Sequence, residues 1–170
     1  MVSKEMQKEL NEQINKELYS AYLYISMGAY AASIGLNGCA NWFSVQAKEE
    51  FTHADKFYNF IIERGGRVLL AAIDEPPHDF KDAHQMFDET YKHEQFVTDR
   101  IHKLVALARK ENDFATDNFL QWFVAEQVEE EASVDEILQK IKLTGGEGNG
   151  LFMIDQELAA RVFVPPVKGA

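Results

Sequence analysis

The sequence predicts an all-α protein: a four-helix bundle with one long crossover between its second and third helices and a short fifth helix near the C-terminal end. Three observations predict it. Four long segments repeat apolar residues every three or four positions, the period of one helix face. No segment alternates apolar and polar residues between turn signals, so strands are not expected. One connection, Arg67 to Lys81 with Pro76 and Pro77, is far longer than the tight link that joins antiparallel neighbours.

The first helix starts behind Ser3, a good N-cap, and shows Leu10, Ile14, Glu17, Ala21, Tyr24 and Gly28 on one face as far as about Ser33. The stretch Ile34 to Gly38 carries the breakers Gly35, Asn37 and Gly38. Beyond it, Phe43, Ala47, Glu50, Ala54, Phe57 and Ile61 mark a second helix that ends at Gly65 and Gly66. At roughly 3.3 Å per residue the crossover can run the whole length of a bundle, which makes the first two helices one hairpin and the last two another. Asp82 with Gln85 resembles a capping box and opens the third helix, with Phe87, Tyr91, Glu94, Val97 and Ile101 on its face and an end near Glu111. Asp113 opens the fourth, which carries Leu120, Phe123, Gln127, Glu130, Val134, Ile137 and Ile141 until Thr144, Gly145 and Gly146 stop it. Leu151, Ile154 and Leu158 then suggest a fifth helix, too brief to persist alone in water and so in need of a docking surface. The chain divides into the bundle, residues 1–145, and a short helix with a tail, residues 146–170.

A chain of 170 residues, 46% apolar and 26% charged, has the size and mix of one domain with a sizeable core. Its single cysteine, Cys39, cannot form an internal bridge, and no basic leader followed by an apolar core opens it, so a reducing, cytoplasmic setting is expected. The 28 acidic against 17 basic residues give a net charge of −11. That balance disfavours nucleic acid and anionic membranes and favours cations, so metal ions are the first partners to consider. From Leu18 to Ala47 no residue is charged. The stretch is long enough to suggest a membrane span, but Ser20, Ser26, Gly28 and Ser33 dilute it and no Lys/Arg asymmetry flanks it. A water-soluble helix without charge on any side should be covered on every side, by its own core and by another chain; an oligomer is expected.

Each apolar stripe is interrupted by groups that can bind a metal: Glu17, then Glu50 with His53, then Glu94, then Gln127 with Glu130. Glu17 precedes Glu50 by 33 residues and His53 by 36; Glu94 precedes Gln127 by 33 and Glu130 by 36. If the hairpins are related by a pseudo-twofold axis, all six side chains fall at one level of the bundle and face one another. Residues three apart on a helix share a face, so Glu50 and His53 can grip one ion together, as can Gln127 and Glu130. Four buried carboxylates without counter-charge would each cost several kcal/mol, by order of magnitude, or would hold protons. Two divalent cations match that charge. Carboxylates with one imidazole and no thiolate favour iron or manganese over structural zinc. A lone glutamate on a helix is usually solvated and a lone histidine usually a core residue; the shared register of six is what sets these apart. Tyr24, two turns beyond Glu17 on the same stripe, is either a core tyrosine or a donor of an electron or proton to the site. Glu49, Glu126 and Glu129, next to ligands but rotated off the core, are solvated acids or together a third, weaker site and an exit path. Trp122 is read as packing, and His93 as facing elsewhere.

At these residues the chain resembles the prokaryotic non-haem ferritins, over nearly its whole length. The likeness is carried by Leu10-Asn11-Glu12-Gln13, Glu17-Leu18-Tyr19-Ser20, Glu49-Glu50 with His53-Ala54, Tyr91-Lys92-His93-Glu94, and most specifically Phe119-Leu120-Gln121-Trp122 leading into Glu126-Gln127 and Glu129-Glu130-Glu131. The resemblance implies a ferritin-like bundle, a hollow shell of 24 subunits, and ferroxidase activity: Fe²⁺ oxidised by dioxygen or hydrogen peroxide and Fe³⁺ stored as an oxyhydroxide mineral inside. It also implies Glu17, Glu50 and His53 on a first iron, Glu50, Glu94 and Glu130 on a second with Glu50 bridging and Gln127 close by, and Glu49, Glu126 and Glu129 with Glu130 at a third. The short fifth helix would line a channel where subunits meet. Bacterioferritins are similar but place a histidine where Glu130 stands and a haem-ligating methionine where this chain has Phe51, so haem is not expected. A single cysteine excludes the iron–cysteine domain of rubrerythrins, and one chain here supplies a full ligand set that Dps-type cages draw from a subunit interface. The run Val162 to Val167 is longer and more apolar than the family pattern. Two other readings stay open on sequence: a smaller soluble di-iron oxidoreductase or peroxide scavenger without storage, and a bundle whose acids bind ions passively.

Overall fold

The computed structural model describes residues 2–165; Pro166 and Val167, the end of the apolar C-terminal run, lie outside the described residues. It contains α1 (Lys4–Ser33), α2 (Asn37–Glu63), α3 (Ala83–Lys110), α4 (Phe114–Thr144) and α5 (Gly148–Leu158), with no strand among the described residues. α1 packs along α2 and α3 along α4, the two hairpins meet through α1 and α3, and α5 rests on α2 and α4.

Short polar side chains start three of the long helices. Ser3 Oγ accepts from Met6 N at 3.0 Å, Asp82 Oδ1 from Gln85 N at 2.8 Å, and Asp113 Oδ1 from Thr116 N at 3.1 Å, each satisfying an amide that the helix leaves free. The capping box on α3 is modified: Gln85 Oε1 accepts from Lys81 N rather than from the Asp82 amide. α4 stops at Gly145, whose φ of 79° is the left-handed turn that a side chain disfavours.

α2 departs from the sequence expectation. Asn37 and Gly38, read above as breakers, form its first turn. Leu36 offers no side-chain cap; instead Asp155 of α5 reaches across, and its Oδ1 accepts from Cys39 N at 2.8 Å. The acid sits at the positive end of the helix. Gly38 makes that approach possible, because a Cβ there would lie 1.6 Å from the Asp155 carbonyl oxygen. The glycine serves packing, not chain reversal. α5 also begins earlier than Leu151 suggests, at Gly148.

The crossover runs along α1 for most of its length, held by α1 side chains. Gln7 Oε1 accepts from Arg67 N, Asn11 bonds both Arg67 O and Leu69 N, Asn15 donates to Ala72 O, and Ser26 donates to Pro77 O. Phe80 then enters the core against Tyr30.

The interior has two apolar clusters. Near α5 it gathers Met27, Phe43, Phe87, Val134, Ile137 and Ile154; at the other end Leu10, Phe57, Ile61, Ile101, Leu120 and Phe123. Cys39 belongs to the first, where burial and then the Asp155 carboxylate push its thiol up to about 12, an unreactive position. No helix is long and apolar enough to cross a membrane among the described residues. Gly38→Ala should force α5 off the start of α2. Hydrogen exchange is expected to show faster exchange across 151–158, with a stability loss of about 1–3 kcal/mol; unchanged protection would contradict this account of Gly38.

Candidate metal centre

Between the two apolar clusters lies a polar layer with one group from each turn that faces inward. Glu17 comes from α1, Glu50 and His53 from α2, Glu94 from α3, Gln127 and Glu130 from α4, and all six are buried. The amphipathic period of each helix carries these residues inward because they stand where apolar residues stand one turn before and after. The structure therefore brings together the six side chains that the 33/36 spacing singles out.

His53 Nδ1 lies 3.3 Å from Glu50 Oε2, and its Nε2 lies 3.9 Å from Glu126 Oε1. Glu94 is held on both oxygens: the Tyr24 hydroxyl donates to Oε1 in a short hydrogen bond, and Gln127 Nε2 donates to Oε2 at 3.1 Å. Tyr24 is fully buried, stacked on Phe43, so it is at once a core tyrosine and a donor to the site. Glu17 Oε1 accepts from Gln13 Nε2 at 2.8 Å, whereas its Oε2 is buried without any partner. An unpartnered carboxylate oxygen in the core costs free energy unless something positive reaches it, and a cation fits that need. Two groupings place possible ligand atoms within 4.8 Å of one another: Glu17, Glu50 and His53, and His53, Glu126 and Glu130.

Burial and crowding govern the protons. Burial, then the repulsion of neighbouring carboxylates, pushes Glu130 up to about 8. Burial also raises Glu94, against the hydrogen bonds from Tyr24 and Gln127 that favour its charged form. For Glu50 burial again wins over the adjacent His53 and holds its carboxyl well above the usual range. Burial presses His53 down, but Glu50, together with Glu126 and Glu17, outweighs it and raises the imidazole well above its ordinary value. Without metal the layer keeps protons that a divalent cation would displace.

The outer acids separate. Glu126 is half-buried and faces His53; Glu49 is half-buried but paired with Arg161 Nη2 at 2.6 Å; Glu129 is exposed. Trp122 does more than fill space: its ring meets the His53 ring edge-on at 5.5 Å, under the Lys56 ammonium at 4.0 Å. His93 turns from the site to Ser20 Oγ at 2.7 Å, and burial, then Lys16, lowers it to about 4. Sequence reasoning passed over Gln13 and Gln46, both fully buried. Gln46 Nε2 donates to Glu130 Oε2 at 2.5 Å. Their signal was present: each stands four residues before an inward-facing glutamate, Glu17 or Glu50, on the same helix face.

Fold and site together define a helical bundle with a carboxylate-rich, single-imidazole centre inside one chain. The ferritin-like domain model matches residues 7–144, and the chain belongs to that family. It is 45% identical over 156 residues to the bacterial non-heme ferritin of Campylobacter jejuni, covering 92% of this chain and 93% of that one. To the bacterial non-heme ferritin of Escherichia coli O6:H1 it is 38% identical over 159 residues, covering 94% and 96%. Among solved structures, the open-pore ferritin of the hyperthermophilic archaeon Archaeoglobus fulgidus superposes with a TM-score of 0.94 at 52% identity, covering 95% of this chain and all of that one.

The raised carboxyls carry a sign. Between the ordinary 4.5 and about 8, folded Glu130 holds a proton that the unfolded chain has lost, so folding binds protons and stability falls as pH rises through that window. Glu50, Glu94 and His53, all raised, add in the same direction. The melting temperature of metal-free protein should drop from about pH 5 to about pH 8, less steeply in Glu130→Gln; an unchanged slope in that variant would contradict this reading.

Proposed function

We propose that this protein stores iron and is a ferroxidase, oxidising Fe²⁺ at the buried layer and keeping the Fe³⁺ as an oxyhydroxide mineral inside a 24-subunit homo-oligomeric cage in the cytoplasm. The observation that carries the reading is the set of Glu17, Glu50, His53, Glu94 and Glu130 from four helices at one level, with a Glu17 oxygen left bare. Membership of the ferritin-like family and relatives named bacterial non-heme ferritins support it.

In this reading Glu17, Glu50 and His53 receive one Fe²⁺, and Glu50, Glu94 and Glu130 a second, with Glu50 shared and Gln127 alongside. The substrate ions supply the charge that the acids lack, and the protons of Glu130 and of the Glu50–His53 pair leave as they bind. His53 Nε2 faces the partly exposed Glu126, which offers those protons a way to water. Two Fe²⁺ give up one electron each; dioxygen takes both with two protons to form hydrogen peroxide, or hydrogen peroxide takes them with two protons to form two waters. Pairing the ions delivers both electrons at one place and avoids a one-electron oxygen radical. Tyr24, bonded to Glu94, can supply an electron and proton of its own. Glu126 and Glu129 with Glu130 serve as the third site and the outward path for Fe³⁺, which Glu49 joins on release from Arg161. Haem has no part, since Phe51 occupies the position of its methionine.

Aerobic addition of Fe²⁺ should give fast oxygen uptake in wild type and none of that fast phase in Glu50→Ala or His53→Ala. Equal rates would refute the mechanism. Light scattering of the same wild-type sample should show a particle of many chains; one near a single 19.4 kDa chain or its dimer would refute storage.

A further inference from the structure

Two buried glutamines link an arginine to a glutamate of the layer, one from each apolar end of the bundle. On one side Arg100 Nε donates to Gln13 Oε1 at 3.2 Å, and Gln13 Nε2 donates to Glu17 Oε1 at 2.8 Å. On the other, Arg161 Nη1 donates to Gln46 Oε1 at 2.7 Å, and Gln46 Nε2 donates to Glu130 Oε2 at 2.5 Å. Gln13 and Gln46 stand 33 residues apart, the same interval that separates Glu17 from Glu50. Neither glutamine side chain touches water.

The chemistry of the chain of bonds is directional. A guanidinium has only donors, so the amide edge that meets it must be the oxygen, and the NH₂ edge is turned onto the carboxylate. An amide without such a partner can rotate by half a turn and present its oxygen to the acid, where two acceptors repel. Once the NH₂ is fixed, one carboxylate oxygen is occupied and the other is left: Oε2 of Glu17, which has no partner, and Oε1 of Glu130.

Both arginines lie beside acids. Arg100 is 3.8 Å from Glu9 and 3.7 Å from Glu12, beyond hydrogen-bond reach, and its Nη2 is buried without a hydrogen-bond partner, so the bond to Gln13 is its one side-chain hydrogen bond among the described residues. Arg161 pairs with Glu49 at 2.6 Å and covers the Trp42 ring at 4.6 Å, while Asn41 grips its carbonyl at 2.9 Å and that of Leu158 at 3.2 Å. Since Asn41 and Asp155 anchor α5 independently, removing the Arg161 head leaves the element docked.

We propose that Arg100 and Arg161 are positioning residues which, through Gln13 and Gln46, set amide polarity so that one defined oxygen of Glu17 and one of Glu130 face the two metal positions. The proposal rests on the di-metal reading of the layer. Each relay serves a different ion: Arg100 the one held with His53, Arg161 the one held with Glu94.

Co²⁺, which does not turn over, tests this by calorimetry on the assembled protein, with the hyperfine-shifted His53 imidazole resonance reporting the first position. Wild type should bind two Co²⁺ per chain tightly, with any ion at the outer third site weaker. Arg100→Met should weaken the His53-linked ion about ten- to a hundredfold and spare the other, and Arg161→Met should do the reverse. Gln13→Met and Gln46→Met, which keep the arginines, should reproduce the same split. Wild-type affinity at both positions in the variants would overturn the proposal. So would equal weakening of both ions together with a lower metal-free melting temperature, the mark of a merely structural role. Fewer than two Co²⁺ in wild type would instead bring down the di-metal reading, and the relays with it.

Discussion

Four carboxylates and an imidazole occupy the middle of this bundle, where burial penalises every charge they carry, and most of the structure answers that penalty. The response is partial. Tyr24 and Gln127 bond both oxygens of Glu94, Gln46 bonds one of Glu130 and Gln13 one of Glu17, yet Glu17 Oε2 has nothing and Glu130 is driven up to about 8. A core built for stability alone would use leucine at these positions, since a buried ion pair rarely outperforms apolar packing. Charge held at this disadvantage is compensated when a cation arrives.

The apolar architecture carries the penalty. Aromatic contacts on either side of the layer, Phe43 on Phe87 and Phe57 on Phe123, stack at 5.1 and 4.1 Å between centroids. They clamp the helices at fixed separation above and below the acids. Capping side chains fix where α1, α3 and α4 begin, which matters because a helix shifted by one residue would turn its glutamate about a third of the way round its circumference. The crossover, pinned to Gln7, Asn11, Asn15 and Ser26, keeps the two hairpins in one register.

Much of this was legible in the sequence because periodicity and spacing are local properties. The four long helices, their three polar caps, the crossover and the convergence of Glu17, Glu50, His53, Glu94, Gln127 and Glu130 follow from residues read in order. What escaped depends on contacts between distant segments. Gly38 looked like a breaker because nothing nearby announces that Asp155, more than a hundred residues on, needs the space. Arg100 and Arg161 belong to no motif or spacing in the sequence, since only the folded chain shows their donors meeting Gln13 and Gln46. Glu49 shares its motif with Glu126 and Glu129, but its pairing with Arg161 depends on where the segment after α5 returns. Family membership rests on residues 7–144; the arginine relays come from the geometry of this chain.

In the proposed mechanism two iron ions sit side by side within one chain and share Glu50. Anomalous diffraction at the iron edge from crystals loaded with Fe²⁺ without oxygen tests it most directly. Two peaks are expected in the buried layer of each chain, one among Glu17, Glu50 and His53 and one among Glu50, Glu94 and Glu130. A layer with no peak, or iron found only among the outer acids Glu49, Glu126 and Glu129, would contradict it.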